Sequence, residues 1–211
     1  MRALKSFRFV MALILLVSFA NIKTAKAAEK PEKTLVFIGD SLTEGYGVEQ
    51  SEAFPEVVRQ KLATRGYKVR VINGGISGSV SADADKRVRW YLKAKPDVLV
   101  LALGANDGLK GTPPETIKKN LAAAIDLAKA NGIKVLLCGI KVFTNFGSDY
   151  TKKFEKIYPE LAREKKVAFI PFLLEGVALK KELNLSDGKH PNAEGHKIIG
   201  ETVAREVEKL L

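Results

Sequence analysis

Five apolar runs recur along the chain and indicate its framework. They lie at 34–38, 68–72, 97–103, 134–140 and 167–170, and glycine, asparagine or proline follows four of them. Most of these runs are continuous in apolar residues and do not alternate with polar ones. Such runs are typical of parallel strands that are buried on both faces. The pattern therefore predicts five parallel strands.

Amphipathic segments separate the apolar runs. Apolar residues recur at helical spacing in 54–65, 81–93, 113–130, 150–165 and 192–211. This β–α alternation predicts a three-layer α/β/α sandwich built on a five-stranded parallel sheet. No second domain, long linker, internal repeat or low-complexity tract is recognisable. We therefore expect residues 28–211 to form a single domain.

The first 27 residues have the pattern of a secretory signal peptide. Arg2, Lys5 and Arg8 precede a 12-residue apolar run at 9–20, and Ala25-Lys26-Ala27 has the small-x-small spacing of a cleavage site. An uncleaved membrane anchor would need about 20 apolar residues, which is more than this run supplies. We therefore expect residues 1–27 to be removed on export to a periplasm or to the medium.

The charge of the chain limits its expected partners. The 35 basic and 24 acidic residues give a net charge of +11. Five basic residues and no acidic residue lie in 1–27, so the mature chain has 30 basic and 24 acidic residues and a net charge of +6. No basic segment is interleaved with aromatic residues, which argues against a nucleic-acid partner. The excess suits either solubility or transient contact with anionic lipid, and no obligate protein partner is evident.

The single cysteine and the two histidines exclude some kinds of site. Cys138 lies in an apolar run, so we expect it to be a small buried residue, and a lone thiol forms no internal disulfide. No histidine and cysteine cluster has the spacing of a metal site. We expect no metal and no cofactor.

Three polar, glycine-containing clusters follow the first three predicted strands. They are Gly39-Asp40-Ser41, Asn73-Gly74-Gly75 and Gly104-Ala105-Asn106-Asp107. In parallel α/β sheets, ligands bind outside the carboxyl ends of the strands. Because all three clusters fall at such ends, we expect them to meet at one edge of the sheet and to form a site.

Ser41 is the candidate nucleophile of that site. A serine directly after a strand can also simply cap the next helix, but Asp187 and His190 near the other end of the chain favour catalysis. His190 would accept the Ser41 proton, and Asp187 would orient the imidazole ring. The other histidine, His196, has no carboxylate three residues before it, so we prefer His190 as the base.

Three groups could stabilise an oxyanion. They are the backbone N–H groups of Ser41 and Gly78 and the side-chain amide of Asn106. Gly78 and Asn106 also fit ordinary turn chemistry, with 106–108 as a tight turn. Spacing alone leaves both interpretations open.

The chain resembles the SGNH (GDSL-type) hydrolase superfamily in four motifs that occur in the family order. These are Gly39-Asp40-Ser41-Leu42, Gly75-Ile76-Ser77-Gly78, Gly104-Ala105-Asn106-Asp107 and Asp187-Gly188-Lys189-His190. They span nearly the whole mature chain. Within the superfamily, the sequence is similar to the bacterial periplasmic acyl-CoA thioesterases/lysophospholipases and to arylesterases.

The resemblance implies the roles of five residues and the order of the strands. Ser41 would be the nucleophile, with Asp187 and His190 as its triad partners, and Gly78 and Asn106 would be oxyanion donors. The implied fold is flavodoxin-like, with strand order 2-1-3-4-5. The implied substrate is a small-molecule acyl ester or thioester, such as an aryl ester, lysophospholipid or acyl-CoA.

Four apolar residues on loops are candidates for an acyl-binding surface: Leu109, Phe143, Phe146 and Leu173. Ordinary core packing is the alternative interpretation of these four. Three other functions remain open: a carbohydrate O-acetylesterase, a non-catalytic acyl- or lipid-binding protein and a nucleotide-binding flavodoxin-like domain. Asp40 argues against the last, because it places a carboxylate where a phosphate would bind.

Overall fold

The computed structural model describes residues 32–142 and 146–211. Within them, one parallel sheet has the strand order β2-β1-β3-β4-β5. Its strands are β1 (Lys33–Gly39), β2 (Val69–Gly75), β3 (Val98–Ala102), β4 (Lys134–Cys138) and β5 (Ala168–Ile170). The fold class and the strand order that the family resemblance implied are therefore confirmed. The predicted signal peptide lies outside the described residues.

Seven α-helices occur in the described residues. They are α1 (Ser41–Glu44), α2 (Phe54–Thr64), α3 (Ala84–Tyr91), α4 (Ala105–Lys110), α5 (Pro114–Ala130), α6 (Ser148–Lys165) and α7 (Ala193–Glu208). Short 3₁₀ turns at Ser81–Asp83, Leu92–Ala94 and Lys181–Leu183 accompany them. No helix in 32–142 or 146–211 is long and apolar enough to cross a membrane.

Helices cover both faces of the sheet. Helices α2 and α7 pack against each other, and α5 packs between α3 and α6. Gly200 of α7 lies so close to Val57 of α2 that a Cβ atom at this glycine would overlap the valine side chain. This arrangement is the predicted three-layer sandwich.

The core follows the continuous apolar runs. Every residue of β3 is buried, and β1 is buried from Thr34 to Gly39. Cys138 is also buried, as expected, and burial raises the pKa of its thiol to about 12. Burial of both strand faces stabilises the sheet by removing apolar surface from water, at roughly 25 cal/mol per Å².

Strand β2 extends further than its apolar run predicted. The sequence pattern ended this strand at Ile72, but backbone pairing continues to Gly75, which lies opposite Gly39 of β1. Backbone pairing does not depend on side-chain polarity, so Asn73 and Gly74 also belong to the strand. The extension brings the loop after β2 beside the end of β1.

The pattern did not predict α1 and α4, and it treated 81–93 as one helix. Helix α1 is only four residues long, and its first turn is stabilised by the Asp40 carboxylate, which accepts the Leu42 N–H at 3.0 Å. The segment 81–93 instead contains α3 between two 3₁₀ turns. Four- to six-residue helices carry too few turns to show a periodic signal.

Candidate active site

Ser41, Asn106 and His190 line one cleft at the carboxyl edge of the sheet. Ser41 begins α1 directly after β1, and Asn106 lies in the first turn of α4 after β3. His190 lies on the loop before α7. Two of the three clusters that were expected to meet at this edge, 39–41 and 104–107, thus lie at the cleft, whereas the third, 73–75, belongs to β2 and does not line it.

Hydrogen bonds connect the serine, the histidine and the aspartate in series. The Ser41 Oγ lies 2.9 Å from His190 Nε2, and His190 Nδ1 lies 2.7 Å from Asp187 Oδ2. The loop that carries the last two is held at its ends, because the Leu185 N–H donates to the His190 carbonyl at 2.8 Å. Two groups that are 149 residues apart in sequence thus meet with the geometry of a base-activated hydroxyl.

The Asp187 carboxylate is fixed in its ionised form. It accepts hydrogen bonds from the Lys189 N–H at 2.8 Å, from the His190 side chain and from the His190 N–H at 3.0 Å. These contacts lower the pKa of Asp187 to about 2, the Lys189 N–H being the largest cause. A carboxylate in this state favours a proton on Nδ1 and leaves Nε2 as the acceptor that faces Ser41.

His196 has a structural role. It is buried in α7, where its Nδ1 accepts the Phe54 N–H of α2 at 3.2 Å and its ring stacks on Phe54. Burial lowers the pKa of His196 to about 4, so the ring is neutral at neutral pH. His196 is thus engaged with Phe54 rather than with Ser41, and the role of His190 as the base stays a prediction.

Tyr46 is a neighbour of the histidine that the sequence did not single out. Its ring centroid lies 4.6 Å from that of His190, and the ring is half exposed. Tyr46 lies on the loop after α1, and its position between Gly45 and Gly47 was the only signal in the sequence. The ring limits the ways in which the His190 imidazole can tilt.

The Asn106 side chain is anchored by one of its two amide hydrogens. Its Nδ2 donates to the Ser79 carbonyl at 3.0 Å, which leaves the second hydrogen for a ligand in the cleft. The next residue, Asp107, is buried and accepts both the N–H and the hydroxyl of Ser81 at 2.7 Å. The amide and carboxylate thus fix α4 to the segment 79–81.

Gly78 lies on the loop between β2 and α3. Its φ of +80° is in the left-handed region, which favours glycine, although the space around its Cβ position is open. The Glu44 carboxylate stabilises the preceding turn by accepting both the N–H and the hydroxyl of Ser77. Gly78 lines a neighbouring groove rather than the cleft. The carbonyl of the next residue, Ser79, accepts the hydrogen bond from the Asn106 amide.

Asp40, directly before the serine, is a buried carboxyl group. Burial raises its pKa to about 6, while the hydrogen bond from the Leu42 N–H acts in the opposite direction. This residue is thus a structural support for α1. Ser41 takes its position from the strand end and from this first turn.

The cleft has a volume of about 430 Å³ and a largely apolar lining. Apart from the residues already placed there, the lining side chains include Leu42, Leu109, Val142, Phe172, Leu174, Ala178 and Leu179. Leu179 is 75% exposed and has a φ of +66°, which is uncommon for a branched side chain. The cleft is an open, apolar depression beside the Ser41 hydroxyl.

The four residues predicted to bind the acyl chain differ in where they lie. Leu109 lines the cleft and is 56% exposed. Leu173 is only 2% exposed and packs in the core, so its assignment was wrong, and its neighbours Phe172 and Leu174 line the cleft in its place. Phe146 is exposed beside Tyr150 of α6 but is absent from the described cleft lining. Phe143 lies outside the described residues.

No metal-binding cluster occurs in the part of the chain that the structure describes: no group of three or more His, Cys, Asp or Glu side chains there could hold an ion.

The fold and the site define a class of protein: a hydrolase with a flavodoxin-like α/β/α sandwich and a histidine-bonded serine at the carboxyl edge of its parallel sheet. Comparison with known proteins makes this more specific. Residues 37–198 match the GDSL-like Lipase/Acylhydrolase family. The chain therefore belongs to that family of ester-hydrolysing enzymes, as its motifs predicted.

The relatives agree with this assignment. The chain is 38% identical to an arylesterase of Vibrio mimicus over 94% of this chain and 100% of the relative. It is 35% identical to thioesterase 1/protease 1/lysophospholipase L1 of Escherichia coli K12 over 84% and 85% of the two chains. The crystal structure of AlinE4, an SGNH-hydrolase family esterase, covers 86% of this chain and 98% of its own at 32% identity, with a TM-score of 0.72.

Proposed function

We propose that this protein is a serine esterase that hydrolyses carboxylic esters, thioesters or both through an acyl-enzyme on Ser41. The observation that carries the proposal is the hydrogen-bonded series of Ser41, His190 and Asp187 at the edge of an apolar cleft. Family membership supports it independently.

In the first half of the reaction, the Ser41 oxygen attacks the ester carbonyl. His190 Nε2 lies 2.9 Å from this oxygen and takes its proton as general base. Asp187 stabilises the imidazolium that forms and keeps it in the correct orientation. The imidazolium then gives the proton to the departing alcohol or thiol.

The tetrahedral intermediate carries a negative oxygen that needs donors. The backbone N–H groups of Ser41 and Gly78 and the free hydrogen of the Asn106 amide are the proposed donors. Each such donor is worth about 10²- to 10³-fold in rate. Support comes from the Asn106 contact with the Ser79 carbonyl, which places the amide beside the Gly78 loop.

In the second half of the reaction, water replaces the alcohol. His190 now takes a proton from water and returns it to the Ser41 oxygen when the acyl group leaves. Both halves use the same residues, and an oxygen ester and a thioester differ only in the group that leaves. The triad therefore acts on either, and small-molecule acyl esters or thioesters are the proposed substrates.

The cleft favours an acyl chain over a sugar. Its lining is dominated by leucine, valine, alanine and phenylalanine, including Leu109 and Leu179 on its open side. Apolar side chains gain by covering methylene groups, at about 0.8 kcal/mol for each buried CH₂. Carbohydrate O-deacetylation and non-catalytic acyl binding are the weaker alternatives.

We further infer that residues 1–27 direct export and that residues 28–211 are the mature domain. The charge pattern, the apolar run and the Ala25-Lys26-Ala27 site support this inference. The modest positive charge of the mature chain suits transient contact with anionic lipid, and no cofactor, nucleic acid or obligate protein partner is proposed.

The test is turnover of p-nitrophenyl esters from acetate to palmitate by the mature chain. Ser41→Ala and His190→Ala should abolish turnover, while His196→Asn is the matched control that should retain it. Activity on acyl esters of several lengths is expected. Activity confined to acetylated sugars, or tight ester binding without turnover, would support an alternative function.

A further inference from the structure

Arg87 is a buried charged residue that the reaction described above does not use. It lies in α3, and only 9% of its surface is exposed. Burial lowers the pKa of its guanidinium, and the nearby Tyr91, Asp83 and Asp40, in decreasing order, act in the opposite direction. Burial of a cation is costly unless hydrogen bonds compensate it, so the hydrogen bonds of the Arg87 guanidinium are what keep it in this position.

The Arg87 guanidinium joins two segments of the site. Its Nη1 donates to the Gly39 carbonyl at 2.8 Å and to the Ser79 hydroxyl at 3.1 Å. Gly39 is the last residue of β1, two positions before Ser41. Ser79 follows Gly78, and its carbonyl accepts the Asn106 amide. One cation thus contacts both the strand that precedes Ser41 and the loop that carries Gly78 and accepts the Asn106 amide.

Neighbouring contacts hold the same loop at other points. The Glu44 carboxylate of α1 accepts the Ser77 N–H, and the Asp107 carboxylate of α4 accepts the Ser81 N–H. The Ile76 N–H also donates to the Gly39 carbonyl, at 3.2 Å. Arg87 adds a side-chain link at Ser79, between these two anchoring points.

The chemistry of arginine suits this link. Both bonds come from Nη1, whose two N–H groups the planar guanidinium holds in fixed directions, while Nη2 is buried with no hydrogen-bond partner in the described residues. A lysine ammonium is a point charge on a flexible stem and would be less able to fix both acceptors.

We propose that Arg87 is a positioning residue that fixes the Gly78 and Asn106 donors relative to the Ser41 oxygen. The proposal rests on the proposed function, since it concerns the oxyanion donors of that same reaction. Donors stabilise the intermediate only when they lie about 2.7–3.1 Å from the oxyanion. A displacement of about 1 Å by a distant substitution can cost about 10²-fold in rate.

The proposal predicts where the kinetic loss appears. A misplaced donor weakens contacts that exist only in the transition state, so kcat falls and KM stays nearly constant. The affinity for an alkylboronic acid, which forms a tetrahedral adduct with a serine, should fall in parallel with kcat. A purely structural role would lower the melting temperature and leave both quantities unchanged for the folded enzyme.

The experiment compares four variants with the wild type in p-nitrophenyl butyrate turnover, boronate inhibition and thermal unfolding. Arg87→Met keeps the length of the side chain and removes its donors, and kcat should fall about 10²-fold. Arg87→Lys should recover part of that loss. Ser79→Ala removes only the contact with the loop, and kcat should fall about tenfold. Arg89→Met is the control on the same helix, since Arg89 is exposed and paired with Asp85, and it should keep wild-type kinetics.

Two results would overturn the proposal. One is wild-type kcat and boronate affinity in folded Arg87→Met. If Arg87→Met does not fold, Ser79→Ala decides, because it leaves the Gly39 contact in place, and unchanged kinetics there exclude a positioning role. Failure of the proposed function itself is distinguishable, because the wild type and the Arg89→Met control would then also show no turnover.

Discussion

Asp187 holds His190 at two points. The Asp187 Oδ1 accepts the His190 backbone N–H at 3.0 Å, and Oδ2 lies 2.7 Å from the ring Nδ1. A spacing of three residues on one short loop allows a single carboxylate to fix both the backbone and the ring of the histidine. The ring orientation is therefore set locally, and only the approach to Ser41 depends on the rest of the fold.

Asp187→Asn should lower kcat by about 10³- to 10⁴-fold. The amide cannot stabilise the imidazolium and can favour the wrong tautomer of His190. The fold should persist, because Asp187 lies on an exposed loop. Steady-state kinetics together with a melting curve would check this, and near-normal turnover would remove Asp187 from the triad.

Asn106→Ala should lower kcat by about 10²- to 10³-fold with little change in KM. The Asn106 amide is proposed to contact the oxyanion, which exists only in the transition state. Initial rates over a range of ester concentrations separate the two constants. A rise in KM at constant kcat would instead assign Asn106 to ground-state substrate binding.

Leu109 and Leu173 allow a matched comparison, because both are leucines but Leu109 lines the cleft and Leu173 lies in the core. Leu109→Ala removes an exposed part of the cleft lining, so kcat/KM for butyrate and longer esters should fall several-fold while acetate turnover is retained. Leu173→Ala should instead cost about 2–5 kcal/mol of stability and keep the chain-length profile, because its side chain is in the core.

The ester series and urea unfolding distinguish these two effects. An unaltered chain-length preference in Leu109→Ala would show that this part of the cleft does not bind the acyl chain.

His196 should make folding sensitive to acid. Burial lowers its pKa from 6.5 to about 4. Between these values the unfolded chain binds more protons than the folded one, so the free energy of unfolding falls as the pH drops from about 6.5 to about 4. The loss is on the order of 3 kcal/mol. Asp40 acts in the opposite direction, since its raised pKa of about 6 makes the folded state bind more protons over pH 4–6.

The contribution of His196 is isolated by comparison with His196→Asn, whose side-chain oxygen can still accept the Phe54 N–H. Urea unfolding of both proteins from pH 7.5 to 4 should show a stability difference that changes by about 3 kcal/mol toward acid. Parallel curves would mean that His196 does not titrate on unfolding.

The sequence predicted the sheet because its central strands, β1, β3 and β4, are buried on both faces. A short continuous apolar run such as 97–103 is typical of a buried strand, and all five predicted strands are present. The order of the strands came from the family resemblance, because an apolar run of valine and leucine does not show which strand it pairs with in the sheet. The extension of β2 to Gly75 was missed because backbone pairing does not depend on polar side chains.

The site was predictable by residue type and only partly by position. Motifs identified Ser41 and His190, but their contact spans 149 residues and depends on the whole fold. Leu173 was assigned to the cleft because it lies on a loop near the end of a strand, and loop position alone does not show that its side chain packs in the core while Phe172 and Leu174 line the cleft. Tyr46 and Arg87 reach the site through tertiary contacts that no local pattern encodes.

The most direct test of the central claim is the site of covalent modification. The mature chain would be treated with p-nitrophenyl butyrate, quenched in acid and analysed by peptide mass spectrometry. The account predicts a butyryl group on the peptide that contains Ser41, and its absence in Ser41→Ala. An acyl group on another residue, or turnover by Ser41→Ala at the wild-type rate, would contradict it.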